Sequence, residues 1–242
     1  MHRHPALAPR LSLVAAGFAW ALSAGAATWQ LDPDRSVVAL LTHRAGVGAR
    51  LAHDHLVVAP LAGVTLELDA DRPEAARLTV AVRADALEID AAAARARWGR
   101  RLAELGALAK GLEPVPEGDR AKVRAAMLGA SQLDAARHPE LRVELVSLAR
   151  RGGDGDARPT PGWTARVRLT LRGKTIEKEL AVRFELEAGE LTAEALGEMR
   201  FTELGIEPYS TLLGAIRNDD LCHLFVALVA RPEAPNPAAA KP

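Results

Sequence analysis

Three consecutive polar residues, His53, Asp54 and His55, interrupt the apolar segment LAHDHLVV at residues 51–58. The composition of the segment favours a β-strand, in which side chains alternate between the two faces of a sheet. We therefore predict that His53 and His55 share one face and that Asp54 lies on the other. Two imidazoles on one face can bind a metal ion, transfer protons, or exchange hydrogen bonds with the head group of a ligand.

Each of these chemistries needs partners elsewhere in the chain. A zinc or copper site would require His43 from a neighbouring strand, with His223 or Asp54 as a fourth ligand, to converge on His53 and His55. Catalysis is less favoured, because Asp54 points away from both histidines and the chain has no Gly-x-Ser-x-Gly, phosphate-loop or His-Glu-x-x-His motif. We predict that the protein is not an enzyme and requires no cofactor.

A structural alternative gives these histidines no part in binding. His53 and Asp54 would then bond to the backbone in a turn, and His55 would begin the next strand. The sequence leaves this alternative open beside the metal and head-group hypotheses.

The composition describes a charge-balanced chain of moderate size. Its 242 residues carry 31 basic and 31 acidic side chains, which gives no indication of a nucleic-acid partner. Aromatic residues make up 4% of the chain, so the core must be built mainly from Leu, Val, Ile and Ala. The single cysteine, Cys222, lies in an apolar run and is expected to pack as a small hydrophobic residue.

Residues 1–26 have the features of a secretory signal peptide. MHRHPALAPR is basic, LSLVAAGFAWALSAGAA is apolar, and Ala24-Gly25-Ala26 fits the small-residue rule for cleavage. A membrane anchor is the alternative, but the apolar run is short and lacks a charged stop. We expect cleavage near Ala26 and a periplasmic or secreted mature protein.

Apolar residues alternate with polar ones in most of the remaining chain. The segments GVTLELDA, RLTVAVRA, ELRVELVSL, WTARVRLTL and ELAVRFELE show this period of two, and turn residues separate many of them. Such a series predicts an antiparallel barrel or sandwich. Leu66, Val80 and Val143 are candidate inward-facing residues of these strands.

Residues 91–136 break the alternation. The spacing predicts one helix that ends near Gly111 and a second that runs from Asp119 to His138. We interpret this region as a two-helix insertion in a single domain of residues 27–231, followed by a disordered tail at 232–242. Trp98 lies among arginines of the first helix, so this helix is a candidate for membrane or partner contact; packing of Trp98 on the barrel is the alternative.

Four segments, in this order, resemble the YceI-like, polyisoprenoid-binding family. They are WQLDPDRSVVALLTHRAG, ARHPELRVELVSL, LTLRGKTIEKELAVRF and FTELGIEPYSTLLGAIRNDDLCHLFVALVA. The resemblance spans roughly residues 28–231. It implies a mainly β, lipocalin-like antiparallel barrel of about eight strands whose interior holds a long isoprenoid chain, such as that of a quinone.

The chain departs from this family's pattern at two places. Residues 201–205 read Phe-Thr-Glu-Leu-Gly where the family has Arg-x-Asp-Phe-Gly, and LAHDHLVV replaces a plainer run. These differences indicate a divergent branch.

From the residues and the resemblance together, we predict that the barrel binds an amphiphilic lipid such as an isoprenoid quinone without catalysis. The predicted ligand-binding residues are His43, His53 and His55 at the head group, with Phe201, Tyr209, Leu66, Val80 and Val143 around the ligand. One alternative is a periplasmic metal-binding or stress-response protein that uses the histidine cluster. The other is an interaction module for a membrane complex, with its barrel packed solid.

Overall fold

The computed structural model describes residues 26–151 and 162–233, which form twelve β-strands and two α-helices. Residues 1–25 of the predicted signal peptide and 234–242 of the predicted tail lie outside the described residues. Within the described ranges, no helix is long and apolar enough to cross a membrane.

The strands and helices are numbered in their order along the chain. Their bounds are β1 (Ala27–Leu31), β2 (Val37–Ala45), β3 (His55–Val58), β4 (Val64–Leu68), β5 (Arg77–Arg83), β6 (Glu88–Ile89), α1 (Ala92–Glu104), α2 (Glu117–Leu128), β7 (Glu140–Arg150), β8 (Trp163–Leu171), β9 (Lys174–Glu187), β10 (Glu190–Arg200), β11 (Ser210–Thr211) and β12 (Ile216–Pro232).

Eight strands follow one another around a ring in the order β1-β4-β5-β7-β8-β9-β10-β12. The pairing of β12 with β1 closes this ring. Every pairing in the ring is antiparallel. The 17-residue strand β12 also pairs with β2 through residues 217–227, and β3 and β6 continue the sheet from β2. This closed ring confirms the predicted lipocalin-like barrel of about eight strands.

Alternation and turn geometry explain why these segments pair as they do. In β8, Trp163, Ala165, Val167 and Leu169 are buried, whereas Arg166 and Arg168 between them are exposed. The β8–β9 and β9–β10 hairpins each close through two residues with positive φ, which is the conformation that matches the twist of paired strands. These residues are Arg172 (51°), Gly173 (70°), Ala188 (50°) and Gly189 (77°).

The helix α1 covers the outer face of the barrel over β2 and β12. Its Leu102 packs with Leu41 and Phe225 in a fully buried apolar cluster. Trp98 lies against Phe225, with ring centroids 5.6 Å apart at an angle of 65°. Trp98 therefore packs on the barrel. This is the arrangement that the sequence analysis gave as the alternative to membrane contact.

Three predicted boundaries differ from the structure. The first helix ends at Glu104 and not near Gly111, because Gly106 takes up a left-handed conformation with φ of 83° just after it. The second helix ends at Leu128, where Gly129 returns to an extended conformation. The tail was predicted from residue 232, but Pro232 still pairs with Trp29 in the sheet.

Candidate ligand-binding site

The barrel interior contains an open cavity of about 580 Å³. This volume lies within the range of pockets that bind small molecules and cofactors. Most of its wall consists of apolar side chains from the inner faces of the strands and from α2. They include Val38, Leu40, Val57, Val80, Val82, Leu141, Val143, Leu169, Leu171, Leu224, Val123, Ala126 and Met127.

Polar side chains also line the cavity, among them Asp119, Lys122, Gln132, Arg142, Thr170, Thr211, Arg217 and Asn218. One small polar group lies where β2 meets β3. It consists of Thr42, His53 and His55, all of which line the cavity. Thr42 pairs with His55 across the two strands, so their side chains project from the same face of the sheet. The imidazole rings of His53 and His55 lie with centroids 6.4 Å apart. The two histidines thus share one side of the sheet, as predicted, although only His55 belongs to a strand.

His55 is fixed by a buried aspartate that the sequence reasoning missed. Its Nδ1 atom lies 2.6 Å from Oδ2 of Asp90. Asp90 follows β6 with φ of 52° and also accepts a hydrogen bond from the N–H of Leu56 at 2.9 Å. Nη1 of Arg95 lies 2.5 Å from Asp90 Oδ1. Because an ionised carboxylate can only accept, Nδ1 of His55 carries the proton in this pair.

The surroundings of Asp90 favour its ionised form. Burial raises the pKa of Asp90, but the hydrogen bond and charge of His55, the N–H of Leu56 and the charge of Arg95 outweigh it, so the pKa is lowered overall. Asp90 is therefore a carboxylate at neutral pH and orients the His55 ring. One sequence signal pointed to this role: Asp90 lies just before a helix that carries Arg95. Only the folded chain brings these two residues to His55.

Asp54 has the structural role that the sequence left open for it. Its Oδ1 atom accepts the backbone N–H of Arg44 at 2.9 Å, and its own carbonyl accepts a hydrogen bond from Arg95 at 2.8 Å. His55 begins β3, as this alternative proposed. The strand predicted for residues 51–58 is therefore wrong at its start: a 3₁₀ turn occupies Ala49–Leu51, and pairing starts only at His55.

His43 lies apart from the cavity lining, because it alternates with Thr42 along β2. Its Nε2 atom is 2.8 Å from Nδ1 of His223, which lies on the neighbouring strand β12. Burial and the charge of His43 lower the pKa of His223, while Glu198 opposes this shift. In the part of the chain that the structure describes, no group of three or more His, Cys, Asp or Glu is placed to hold a metal ion.

The other predicted ligand-binding residues divide between the cavity and the packed core. Phe201, Tyr209, Val80 and Val143 line the cavity, and Tyr209 is 40% exposed. Leu66 is absent from the lining and instead packs in a buried cluster with Trp29, Leu68, Leu191 and Ala230. The part that each of these residues has in ligand binding stays a prediction.

A closed antiparallel barrel with an apolar cavity and few polar groups is the architecture of lipocalin-like proteins. The chain belongs to the YceI-like family, since the model of the YceI-like domain matches residues 29–220. This confirms the family that the four sequence segments predicted. A comparison with curated proteins gives no match.

Two solved structures are similar to this chain at low sequence identity. The crystal structure of Burkholderia cenocepacia BcnA is 11% identical with a TM-score of 0.52, and the alignment covers 83% of this chain and 99% of that one. A polyisoprenoid binding domain from Saccharophagus degradans, implicated in plant cell wall breakdown, is 10% identical with a TM-score of 0.45, over 85% of this chain and 98% of that one. At 11% identity, the likeness to BcnA concerns the fold alone.

Proposed function

We propose that this protein binds an amphiphilic lipid in the barrel interior, without catalysis, and carries it across the periplasm. The ligand class that we favour is an isoprenoid with a polar head group, such as an isoprenoid quinone or its reduced form. The observation that carries the proposal is the cavity of about 580 Å³, whose mainly apolar wall carries Thr42, His53 and His55 at the β2–β3 junction. Membership of the YceI-like family and the signal-peptide sequence support it.

The cavity suits a long apolar tail for a simple energetic reason. Each CH₂ group that leaves water for an apolar site contributes about 0.8 kcal/mol. A few isoprene units therefore supply enough free energy to offset the loss of ligand freedom without any specific contact. The polar group at the β2–β3 junction then decides which end of the ligand lies there.

Exposed apolar residues near the cavity support delivery of the ligand at a membrane. Two loops, residues 46–51 and 212–215, lie side by side and are joined by a hydrogen bond from Gly48 N–H to the Ala215 carbonyl at 2.8 Å. We call them the mouth loops. They expose Val47 (96%), Leu51 (79%), Leu212 (66%) and Leu213 (109%), and Leu51 also lines the cavity.

The charge around the mouth loops favours a bilayer that contains anionic lipids. Arg50 lies within them and Arg217 lies two residues after Ala215, and both side chains are exposed. Among the described residues, neither arginine forms an ion pair. Apolar side chains beside cations are the features of a surface that inserts shallowly into an anionic membrane. These loops, and not the Trp98 helix, are therefore the membrane-contact surface that we propose.

Native mass spectrometry of the mature protein, purified from its own periplasm, tests the proposed function. We expect a bound mass that is released on denaturation and extracts into organic solvent. An isoprenoid identified in the extract would support the ligand class. A bound metal ion without any extractable lipid would instead favour the metal-binding alternative and contradict the proposal.

A further inference from the structure

The cavity ends at the same level on the neighbouring strands β7 and β8. Val143 of β7 pairs with Leu169 of β8, and both residues line the cavity. The next pair on the same face, Leu145 and Val167, lies outside the lining and packs in the apolar core. Because residues two positions apart in a strand share a face, this change from one pair to the next marks the floor of the cavity.

The strands β5 and β12 end the cavity in the same way. On β5, Val80 pairs with Val143 and lines the cavity, whereas Leu78 lies outside the lining. On β12, Leu224 lines the cavity, whereas Val226 lies outside it. Both Leu78 and Val226 pack against buried apolar clusters. The cavity is therefore blind at this level of the barrel.

Side chains fill the barrel beyond this floor. The rings of Trp163 and Phe184 lie with centroids 5.5 Å apart at an angle of 59°. Trp29 donates a hydrogen bond from its Nε1 atom to the carbonyl of Leu68 at 3.2 Å. It packs in a buried cluster with Leu66, Leu68, Leu191 and Ala230. These contacts leave the apolar tail of a ligand to the part of the barrel above the floor.

A glycine on β10 allows one of these side chains to enter the interior. A Cβ atom at Gly197 would overlap Cδ2 of Leu180, which is 4% exposed. Leu180 therefore occupies the space that a side chain at position 197 would need. The core beyond the floor is thus closely packed and gives a tail no path through the barrel.

The volume of the blind cavity limits the length of an apolar chain. A methylene group and a water molecule have similar volumes in a liquid, about 30 Å³ each. A cavity of about 580 Å³ therefore holds roughly twenty carbon atoms at most. The remainder of a longer chain would lie in water outside the mouth loops, where it gains no free energy of burial.

We propose that the blind cavity selects amphiphiles with a short apolar tail, of at most roughly twenty carbon atoms, and gives no additional affinity to longer tails. The proposal rests on the proposed function, because it presumes an amphiphile in the cavity. The limit applies to branched and straight tails alike, since apolar burial is not directional and depends on the buried area. The packed floor, and not the chemistry of the tail, sets the length.

A series of saturated fatty acids measures this limit, because its members differ only in the chain. The dissociation constants with the purified, delipidated mature protein are measured by competition against N-phenyl-1-naphthylamine, a fluorescent apolar probe. Up to the limit, each added methylene should tighten binding about fourfold. Beyond roughly twenty carbon atoms we expect the dissociation constant to stay constant.

Three substitutions test whether the floor sets the limit. Val143→Phe places a larger side chain on the floor, so we expect the limit to fall by roughly four carbon atoms. Leu145→Ala removes a side chain beneath the floor, so we expect the limit to rise by roughly three. Ala81→Phe adds a ring at an exposed position on β5 and is the matched control, which should keep the wild-type limit. Circular dichroism checks that each variant is folded.

The results distinguish this inference from the proposed function. A gain in affinity that continues unchanged to the longest fatty acid would overturn the limit, because the tail would then pass through the barrel. An identical limit in folded Val143→Phe and the wild-type protein would show that the floor lies elsewhere and would contradict the inference. Both results leave the proposed function in place. No binding of any fatty acid or of the probe would contradict the proposed function and the limit together.

Discussion

The imidazole of His55 is held at the cavity by Asp90, whose carboxylate lies 2.6 Å from its Nδ1 atom. Arg95 secures the same carboxylate from α1 and also bonds to the carbonyls of Asp54 and Glu113. One buried carboxylate therefore ties together β3, the end of β6 and the first helix. The orientation of the histidine and the docking of the helix depend on the same residue.

Removal of the Asp90 charge should strongly destabilise the protein. Asp90→Asn keeps the side-chain shape and tolerates the positive φ, but it leaves the buried Arg95 guanidinium without a counter-charge. We expect the free energy of unfolding to fall by about 3–5 kcal/mol, as for other broken buried pairs. Urea unfolding measures this change. Asp85→Asn, which removes the exposed partner of Arg83, is the matched control and should leave the unfolding midpoint unchanged.

Neighbouring alanines on α2 provide a test of the cavity as the lipid site. Ala126 lines the cavity, whereas Ala125 is exposed. Ala126→Trp should fill the cavity and reduce the amount of co-purifying lipid at least roughly tenfold, because the tail loses the space in which its CH₂ groups are buried. Ala125→Trp adds the same side chain outside and should retain the lipid. Equal lipid content in the two folded variants would place the ligand elsewhere.

The mouth loops should control binding to membranes. Leu213→Glu replaces a fully exposed apolar side chain with a charge that anionic lipids repel. Burial of a leucine contributes about 1.5–3 kcal/mol, so we expect the affinity for anionic vesicles to fall roughly tenfold or more. Co-sedimentation with vesicles measures this affinity. Thr192 is exposed on β10, so Thr192→Glu introduces the same charge away from the mouth loops. This control variant should bind the vesicles as tightly as the wild-type protein does.

Acidification should lower the free energy of unfolding through the His43–His223 pair. Burial and the charge of His43 lower the pKa of His223, so the unfolded state binds more protons below the ordinary imidazole pKa of about 6.5. The free energy of unfolding therefore decreases as the pH falls through that value toward the lowered pKa of the folded state. The melting temperature at about pH 7.5 and about pH 5.5 reports this decrease. His223→Gln should show a smaller decrease than the wild-type protein.

The thiol of Cys222 should be unreactive in the folded protein. Cys222 is fully buried, its Sγ atom contacts the carbonyl of Met199 at 3.4 Å, and burial raises its pKa to about 12. At about pH 8 the thiolate that reacts with alkylating reagents is therefore scarce and inaccessible. Mass spectrometry should find no label before denaturation and one label after it. Rapid labelling of the native protein would contradict the packing of β12.

The sequence by itself determined the class of the fold, because strand alternation is a local property. The buried and exposed residues of β8 follow the period of two, and residues 91–136 contain the two helices that their composition predicts. Family membership was also readable, since it depends on the order of short segments. His53 and His55 both line the cavity, but the strand alternation from which this was predicted applies only to His55, since β3 begins there.

Only the tertiary structure decided which residues form the site. Asp90 is 35 positions from His55 and no periodicity connects them; the pairing of β3 with β6 brings them together. Thr42 carries no sequence signal, and only its register with His55 brings it to the cavity lining. His43 was predicted beside the ligand, but the register of β2 turns it toward His223. The pairing of strands that are far apart in the sequence and the register of each strand therefore set the chemistry of the cavity. Neither can be read from a local sequence pattern.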